Sequence, residues 1–445
     1  MLLTIEKLVY GGDGLARLPA DERGRGKAVF VPFVLAGEKV DAVLAENKSG
    51  FARARVEAVV ELSAQRIEPG CQYFGSCGGC HYQHTSYEHQ LEIKREILRE
   101  NLRRIAKLEL AGEIEVHSSS PWNYRNRARL QVQTRPAFAA GFFKFASHQL
   151  LPVEQCPISS PFINRGIATL WASGRAGKVP DGILELEFFA NADDTKLLVE
   201  VTSIAEVKRA VARTWIEDLQ ALMPEIAAIA AFRQRRRDDR AAAANELLLQ
   251  LGDPRLMYQT RAASYQVSAG AFFQTNRFLT DELVKIVTKG ESGDLLLDLY
   301  AGVGLFSTAL ARDFRHIVAV ESSQPAASDL KYNLPSNGKA IQATAEDYLS
   351  GASNRERSGK GEALPSVGKP DLVIVDPPRS GLGESVVRGL ASLDAPRITY
   401  VSCDPATLGR DLLALLGAGY KVEQAHLVDL FPQTFHIESV VKLRR

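Results

Sequence analysis

One cysteine stands where a nucleophile could act. Residues 398–401 have the pattern of a strand, and Cys403 follows them directly before a helix that begins near Ala406. The positive end of a helix dipole favours a thiolate, so this position outweighs the usual interpretation of an isolated cysteine as a small buried apolar residue. A thiolate can add to C6 of a pyrimidine and make C5 able to accept a methyl group. The sequence therefore offers a nucleophile for methyl transfer to a poorly reactive carbon.

Such a reaction also needs a base, because the C5 proton must leave before the thiol can be eliminated. Glu438 is a candidate, and His436 is its rival. If a last strand begins near Ile437, the two side chains share a face. His436 could instead be a structural histidine that orients the loop.

A Gly-rich turn suits a nucleotide-like ligand. Gly302 and Gly304 follow a buried-type strand and precede a helix, and Glu321 ends the next strand, where its carboxylate can accept hydrogen bonds from ribose hydroxyls. Ser307 occupies the place of the third glycine of the dinucleotide fingerprint, which disfavours NAD and favours an adenosyl ligand such as S-adenosylmethionine. Asp347 could bind the adenine amino group, although its position alone favours a surface acid.

The segment Asp376-Pro377-Pro378 lies at the end of another strand. Proline cannot continue a strand ladder, so the chain turns out of the sheet and presents Asp376 at the ligand edge. A similar Asp/Asn-Pro-Pro segment holds an exocyclic amine in amino methyltransferases, which would predict N-methylation. Cys403, at the end of the next strand, favours chemistry at a ring carbon instead.

Composition excludes several classes of protein. The 445 residues contain 54 Lys and Arg against 53 Asp and Glu, with 45% hydrophobic residues, which is typical of a folded protein with several domains and is neither fibrous nor disordered. The N-terminus does not resemble a secretory signal, and no apolar run is long enough to span a membrane, so we expect a cytoplasmic protein. Five cysteines, an odd number, argue against a disulfide framework and favour metal ligation or catalysis.

The secondary structure predicted to position these residues differs between regions of the chain. Residues 1–60 contain short strand-like runs separated by turns, which predicts a small barrel such as an oligonucleotide-binding fold. Composition leaves phosphate contact and a merely solvated surface about even for this region. A helical pattern spans Ser86–Leu108. From Asp294 onward strands and helices alternate, which predicts a parallel sheet with ligands outside the carboxyl ends of its strands.

A basic segment lies between Pro121 and Leu150, where Arg and Lys occur with aromatic residues and without Asp or Glu. Alternation places Arg125, Arg127 and Arg129 on one face of a strand, where they can track phosphates while aromatic rings stack on bases. This composition favours RNA contact over a solvated strand. Phe272 is a further candidate for RNA contact.

Together the motifs resemble the iron-sulfur RNA 5-methyluridine methyltransferases, most closely the 23S ribosomal RNA uracil-C5 type. The resemblance spans nearly the whole chain, and its specificity lies in the order and spacing of the motifs. They are a TRAM-like barrel at about 1–60, Cys71-x5-Cys77-Gly-Gly-Cys80, Tyr124-Arg-Asn-Arg127-Ala-Arg129, Phe273-Gln274-x-Asn276, Asp298-Leu-Tyr-x-Gly, Asp376-Pro-Pro-Arg, Ser402-Cys403-x-Pro-x-Thr407 and the Glu438 motif.

The resemblance implies a multidomain α/β protein. We expect a TRAM/OB-like RNA-binding barrel at 1–60, a central iron-sulfur α+β domain at 61–266 and a Rossmann-like class I methyltransferase domain at 267–445, with helix 86–108 packed on the last. The residues implied to bind S-adenosylmethionine are Gln274, Tyr300, Glu321 and Asp376, to which we add Asp347. Cys403 is implied to be the nucleophile and Glu438 the base.

The resemblance also implies a ligand set of four thiolates, Cys71, Cys77, Cys80 and Cys156. Four thiolates suit a tetrahedral zinc or a [4Fe-4S] cluster, and ligand type alone does not separate the two. Spacing shared with the family favours the cluster. Its role is expected to be structural, because no step of C6 addition, methyl transfer and proton removal moves a single electron.

The resulting hypothesis is a monomeric enzyme that uses S-adenosylmethionine to form 5-methyluridine, with 23S ribosomal RNA as the expected partner and no membrane association. The alternatives are a methyltransferase that acts on the transfer RNA T-loop, an N-methyltransferase that uses the Asp376-Pro-Pro segment, and a catalytically silent RNA-binding protein.

Overall fold

The computed structural model describes residues 1–19, 26–204, 206–234, 246–351 and 368–445. The N-terminal strands form one six-stranded sheet in the order β1-β5-β6-β4-β3-β2. Small aliphatic side chains from strands across this order pack into a single core, so the sheet wraps around it. The strands are β1 (Leu2–Thr4), β2 (Lys7–Leu8), β3 (Asp13–Arg17), β4 (Ala28–Pro32), β5 (Lys39–Asn47) and β6 (Phe51–Glu61).

The middle of the chain forms a seven-stranded sheet in the order β10-β9-β8-β11-β12-β13-β14. Two amphipathic helices pack on it and share its apolar core. The first of these helices begins with Pro161 after the N-cap Ser160, whose hydroxyl accepts a hydrogen bond from the backbone N–H of Ile163. The elements are β8 (Arg127–Gln133), β9 (Ala139–Phe143), β10 (Leu150–Pro152), α2 (Pro161–Arg175), β11 (Ile183–Ala190), β12 (Leu197–Ser203), α3 (Arg209–Leu222), β13 (Ile226–Arg233) and β14 (Glu246–Gly252).

The C-terminal part forms an eight-stranded sheet in the order β19-β18-β17-β20-β21-β23-β22-β7, preceded by the hairpin β15-β16. The five strands from β19 to β21 are parallel, and β23 runs antiparallel to both its neighbours. The strands are β15 (Arg255–Gln259), β16 (Ser264–Ser268), β17 (Gly293–Leu299), β18 (Phe314–Glu321), β19 (Gly338–Gln342), β20 (Leu372–Val375), β21 (Arg397–Ser402), β22 (Lys421–Val428) and β23 (Glu438–Arg444). The helices are α4 (Thr280–Thr288), α5 (Leu305–Ala309), α6 (Gln324–Asn333), α7 (Ala345–Ser350), α8 (Gly383–Leu393) and α9 (Pro405–Gly417).

Two elements that precede the middle sheet in sequence belong to the C-terminal part in space. Helix α1 (Tyr87–Arg104) buries one apolar face in the same core as the C-terminal strands. Lys94 on this face is fully buried and forms an ion pair of 2.6 Å with Asp429. Strand β7 (Glu115–His117) pairs in parallel with β22 and so forms the edge of the eight-stranded sheet. Along the sequence, α1 and β7 of the C-terminal part therefore come before the strands of the middle sheet.

In the part of the chain that the structure describes, no helix is both long enough and apolar enough to cross a membrane.

Candidate active site

The carboxyl ends of four parallel strands and the start of β23 meet at one edge of the sheet. Ser402, the last residue of β21, pairs with Ser439 of antiparallel β23. This register places Cys403 and Glu438 at the same edge. A cavity of about 600 Å³ lies there, and both side chains line it. Its size is within the range of small-molecule and cofactor sites.

Four of the five residues predicted to bind S-adenosylmethionine line this cavity, namely Gln274, Tyr300, Glu321 and Asp376. Asp347 is not among its lining residues. It lies in the first turn of α7, where its backbone N–H donates to Thr344 Oγ1 over 3.0 Å. The assignment of Asp347 to the adenine stays a prediction.

The turn after β17 brings backbone close to the cavity. Tyr300, Gly302 and Gly304 all have positive φ angles, of 62°, 57° and 91°. A Cβ on Gly304 would lie 2.8 Å from the Leu330 side chain, so glycine is required there for both reasons. Glu321 is held at the cavity because its Oε2 accepts from the Gly302 N–H over 2.9 Å.

Cys403 lies next to the start of α9, but the side chain of Asp404 caps that helix. Its Oδ1 accepts from the backbone N–H groups of Ala406 and Thr407 at 2.9 and 3.0 Å. Burial raises the pKa of Cys403 to about 12, and the carboxyl groups of Glu438 and Asp376 add to the effect. The start of α9 is therefore already capped by a carboxylate, and the expectation that this helix end favours a thiolate at Cys403 stays a prediction.

The two candidate bases have opposite pKa shifts. Burial raises the pKa of Glu438 well above its ordinary value, Asp376 raises it further, and Arg379 opposes the shift. Burial lowers the pKa of His436 to about 3, with a further contribution from Arg379. Both side chains line the cavity. Glu438 is therefore the more basic of the two groups.

Several carboxyl groups lie buried at or near the cavity, and their pKa values are raised. Burial raises the pKa of Asp376 to about 7, and Asp298 and Glu321 contribute to the shift. Asp298 is itself fully buried, and burial raises its pKa to about 7, although hydrogen bonds from Ser307 oppose the shift. A cationic ligand would favour the ionised form of these groups. S-adenosylmethionine, whose sulfonium is positively charged, fits this requirement.

Two residues at the site received no role from the sequence. Arg379 lines the cavity, and its Nη2 lies 3.4 Å from the ring nitrogens of His436. The sequence feature that could have indicated a role for Arg379 is its place in the Asp376-Pro-Pro-Arg segment. Tyr10, from the N-terminal sheet, donates its hydroxyl to the backbone oxygen of Cys403 over 3.1 Å. No sequence pattern joins residues 393 positions apart.

The basic segment is arranged differently from the prediction. Strand β8 begins at Arg127, so Arg125 lies outside it and instead forms isolated bridges with Ser159 and Asn276. Arg127 is only 12% exposed and is ion-paired with Glu187 and Glu200.

We therefore correct two expectations for this segment. The three arginines do not lie on one strand, and Arg127 joins neighbouring protein segments with its guanidinium instead of offering it to phosphate. Arg129 also pairs with Glu187, at 2.8 Å, but stays 56% exposed. RNA contact by Arg125 and Arg129 stays a prediction.

A second, apolar cavity of about 180 Å³ is lined by Cys71, Cys77, Cys80 and Cys156. Cys156 is oriented by Asn164, whose Oδ1 accepts from the backbone N–H of Cys156 over 2.8 Å. Burial raises the pKa of Cys77 to about 11 and that of Cys80 to about 12, and the neighbouring sulfur atoms add to both shifts. The fold therefore brings together residues that are 85 positions apart at the extremes.

Comparison with solved structures shows the class of fold. Over 100% of both chains, with a TM-score of 0.74 and 23% sequence identity, the structure is similar to the tRNA (uracil-54, C5)-methyltransferase of Pyrococcus abyssi, solved in complex with S-adenosyl-L-homocysteine. The fold is that of an S-adenosylmethionine-dependent methyltransferase.

Sequence comparison identifies the family. Residues 86–445 match the family described as tRNA (Uracil-5-)-methyltransferase, and residues 1–56 match the TRAM domain. An uncharacterized RNA methyltransferase of Aquifex aeolicus is 32% identical over 99% of this chain and 97% of its own. The 23S rRNA (uracil(1939)-C(5))-methyltransferase RlmD of Halomonas elongata is 31% identical over 99% of this chain and 89% of its own. The chain belongs to the tRNA (uracil-5-)-methyltransferase family, and it is an S-adenosylmethionine-dependent RNA uracil-C5 methyltransferase with an N-terminal TRAM domain.

Proposed function

We propose that this enzyme forms 5-methyluridine in 23S ribosomal RNA through a covalent adduct between Cys403 and C6 of the target uracil. The observation that carries the mechanism is the shared cavity, in which Cys403 and Glu438 lie beside the residues predicted to hold the cofactor. The ribosomal target is supported by 31% identity to the Halomonas elongata enzyme along almost the whole chain.

Cys403 and Glu438 account for the bonds made and broken at the uracil ring. S-adenosylmethionine supplies the methyl group and a positive charge when it is bound. The Cys403 thiol gives its proton to solvent and its sulfur adds to C6, which makes C5 nucleophilic; C5 takes the methyl group and S-adenosyl-L-homocysteine is left as the co-product. Glu438 then removes the C5 proton and later returns it to solvent. The C5–C6 double bond re-forms as the bond between C6 and sulfur breaks, which releases Cys403 as a thiolate.

Glu438 is favoured over His436 as the base because of its surroundings. A carboxylate with a raised pKa accepts a proton more readily than one at its ordinary value. An imidazole with a pKa of about 3 holds a proton poorly at neutral pH. We assign His436 to the loop that shapes the cavity, where its ring lies 4.2 Å from that of Phe435.

RNA that contains 5-fluorouridine tests the covalent step. Fluorine at C5 prevents the final elimination, so wild-type enzyme with S-adenosylmethionine should form a protein–RNA complex that survives denaturation. Cys403→Ala should form none. A denaturation-stable complex in Cys403→Ala, or its absence in wild type, would overturn the assignment of the nucleophile.

Mapping of modified nucleosides tests the target. Mass spectrometry of RNA from cells that lack the gene should show the loss of 5-methyluridine from 23S ribosomal RNA, with the transfer RNA T-loop unchanged. Loss from the T-loop instead would move the substrate to transfer RNA, and loss of a methylated amine would support N-methylation. Unchanged RNA would support a silent binding protein.

We further propose that the four-cysteine cavity holds a [4Fe-4S] cluster. In the described residues, the only group of three or more possible ligand atoms within 4.8 Å of one another lies elsewhere, so no three of these sulfur atoms are that close. Tetrahedral zinc with Zn–S bonds of about 2.3 Å would need sulfur atoms about 3.8 Å apart. A cluster binds each thiolate to a different iron and needs a wider set, which fits this arrangement better.

The role proposed for the cluster is structural. Directly after Cys80, the backbone N–H groups of His81 and Tyr82 donate to the Gln433 oxygen at 2.8 and 3.0 Å. Gln433 belongs to the loop that leads to Glu438. Fixing Cys80 therefore fixes a support of the catalytic loop.

Two surface features support the path proposed for RNA. Phe272 is 63% exposed and lines the catalytic cavity, where an aromatic ring can stack on a base that has left its helix. Arg125 and Arg129 line the cavity of the four cysteines. We propose that RNA extends from the catalytic cavity toward this basic surface.

A further inference from the structure

Three possible metal ligands converge at the edge of the eight-stranded sheet, outside both cavities. Because β7 and β22 are parallel and pair Glu115 with His426, the side chains of Glu115, His117 and His426 meet. His117 Nε2 lies 3.2 Å from His426 Nδ1. Glu115 Oε2 lies 3.4 Å from His426 Nδ1 and 3.9 Å from His117 Nε2.

These separations of 3.2–3.9 Å are close to those in a zinc site. Bonds of about 2.0–2.2 Å from zinc to nitrogen or oxygen in tetrahedral geometry place neighbouring ligand atoms about 3.3–3.6 Å apart. Two imidazoles and one carboxylate form a donor set that zinc accepts and that Mg²⁺ or Ca²⁺, which prefer oxygen, do not.

The outer nitrogens of both histidines also have acceptors nearby. Glu282 Oε1 on α4 lies 3.4 Å from His117 Nδ1. Gln424 Oε1 lies 3.4 Å from His426 Nε2. Histidines that bind metals usually donate their second N–H to such a group, which orients the ring and selects the tautomer. A simple hydrogen-bonded histidine pair requires no such arrangement on both rings.

Exposure of the group leaves one side open. The side chain of Glu115 is 67% exposed, whereas His117 is 19% and His426 is 8% exposed. Water could therefore reach a fourth position on a metal held by these three residues. Such an arrangement is typical of a metal bound at a surface, with two ligands from the edge strand β7 and one from its neighbour β22.

We propose that Glu115, His117 and His426 bind one Zn²⁺ ion that fastens β7 to β22 and, through Glu282, to α4. The site would secure the segment that leads from the edge of the sheet toward the basic region. That segment is also held by the hydrogen bond of 2.9 Å from the Asp429 N–H to the His117 oxygen. A three-residue edge strand has little hydrogen bonding of its own, so a metal would add much to its stability.

Zinc titration of the full-length protein, with its cysteine site loaded, tests the proposal. Isothermal calorimetry should show one equivalent of Zn²⁺ more in wild type than in Glu115→Ala or His117→Gln, or affinity at least about tenfold weaker in the variants. Glu113→Ala is the matched control, because Glu113 is also an exposed glutamate and lies two residues earlier. It should bind as wild type does.

A second measurement separates this site from the cysteines. Co²⁺ added to wild type should give the weak visible absorption of nitrogen and oxygen ligands without sulfur charge-transfer bands, and this absorption should be missing in Glu115→Ala. Zinc should also raise the unfolding temperature of wild type and of Glu113→Ala more than that of Glu115→Ala. Equal zinc stoichiometry and affinity in all four proteins would overturn the proposal. Since Glu115 is a surface residue, Glu115→Ala should fold, so a loss of zinc binding in this variant can be assigned to the missing ligand.

Discussion

The two cavities that contain cysteines differ in the charges that surround the sulfur atoms. In both, burial is the first cause of a raised thiol pKa. Around Cys403 the next contributions come from the carboxyl groups of Glu438 and Asp376. Around Cys80 they come from the other thiols, Cys156 first. The catalytic cavity is polar in part, whereas the four-cysteine cavity is lined mostly by apolar surface.

This difference indicates what each cavity lacks. A lone thiol among carboxyl groups requires one positive charge that can come and go, which a sulfonium ligand provides in each turnover. Four thiols that face one another in an apolar setting suit the permanent positive charges of the cluster proposed above. Under that proposal, desolvation serves a transient reaction at one site and a permanent attachment at the other.

The largest effect should come from removing a sulfur atom at each site. Cys403→Ala should lower methyl transfer at least about 10⁴-fold, because no other group at the site can form the adduct. It should keep its iron and its RNA affinity. Tritium-labelled methyl transfer, iron content and RNA binding measure these three properties.

Cys80→Ser should show the opposite pattern, with iron lost, RNA affinity reduced and a measurable rate of methyl transfer retained. If Cys80→Ser kept both folding and RNA affinity, the cluster would have no structural role. If it abolished transfer as completely as Cys403→Ala in a folded protein, the two sites would not be separable.

Replacing the base should have the next largest effect. Glu438→Gln should slow turnover by about 10²- to 10⁴-fold, because the amide cannot take the C5 proton. Methyl transfer itself should still occur, so a methylated covalent complex should accumulate on ordinary RNA. Denaturing gels of labelled enzyme–RNA mixtures detect it.

His436→Gln is the matched control for that variant, since it changes a neighbouring side chain of the same cavity. We expect its rate to stay within about tenfold of wild type. A fully active Glu438→Gln together with an inactive His436→Gln would move the base to the histidine.

The charges around Cys403 should determine how it reacts with an alkylating agent. Its pKa is raised to about 12, so in the free enzyme its thiolate fraction should be small and should rise about tenfold for each pH unit between pH 7 and 10. S-adenosylmethionine should lower this pKa and increase alkylation about 10- to 100-fold at a given pH. Mass spectrometry of the Cys403 peptide measures the rate.

S-adenosyl-L-homocysteine provides the control, because it has nearly the same shape without the sulfonium charge. It should protect Cys403 sterically and should not accelerate its alkylation. Equal rates with the two ligands would show that the charge of the cofactor does not activate the thiol.

The smallest effect should come from the contact between the N-terminal sheet and the nucleophile. Tyr10→Phe removes the hydrogen bond to the Cys403 oxygen and keeps the ring packed edge-on against Phe435 at 5.6 Å. A loss of about 1 kcal/mol corresponds to about fivefold in rate. Single-turnover kinetics at saturating RNA should show it, with RNA affinity unchanged. A change in affinity alone would assign Tyr10 to RNA binding.

Local patterns were sufficient for the residues that follow strands of the parallel sheet. Buried-type strands followed by Gly302, Asp376 and Cys403 predict their meeting at one edge, because parallel strands end together. Tyr10 could not be found in this way, because it reaches the site from the turn between β2 and β3. Arg127 was also misplaced, since alternation predicts a shared face and does not reveal that Glu187 and Glu200 face it from neighbouring strands.

The sequence by itself determined the family, the motif order, the sheet that carries the cofactor side of the site, and the identity of the candidate nucleophile and base. These follow from residue types and from spacing within short segments. Tertiary structure alone decided the surroundings of Cys403, because burial and the carboxyl groups of Glu438, Asp376 and Asp404 raise its pKa through space. It also decided that β7 joins the catalytic sheet and that His117 meets His426, 309 positions away. Burial and long-range pairing depend on the whole fold, which no local pattern specifies.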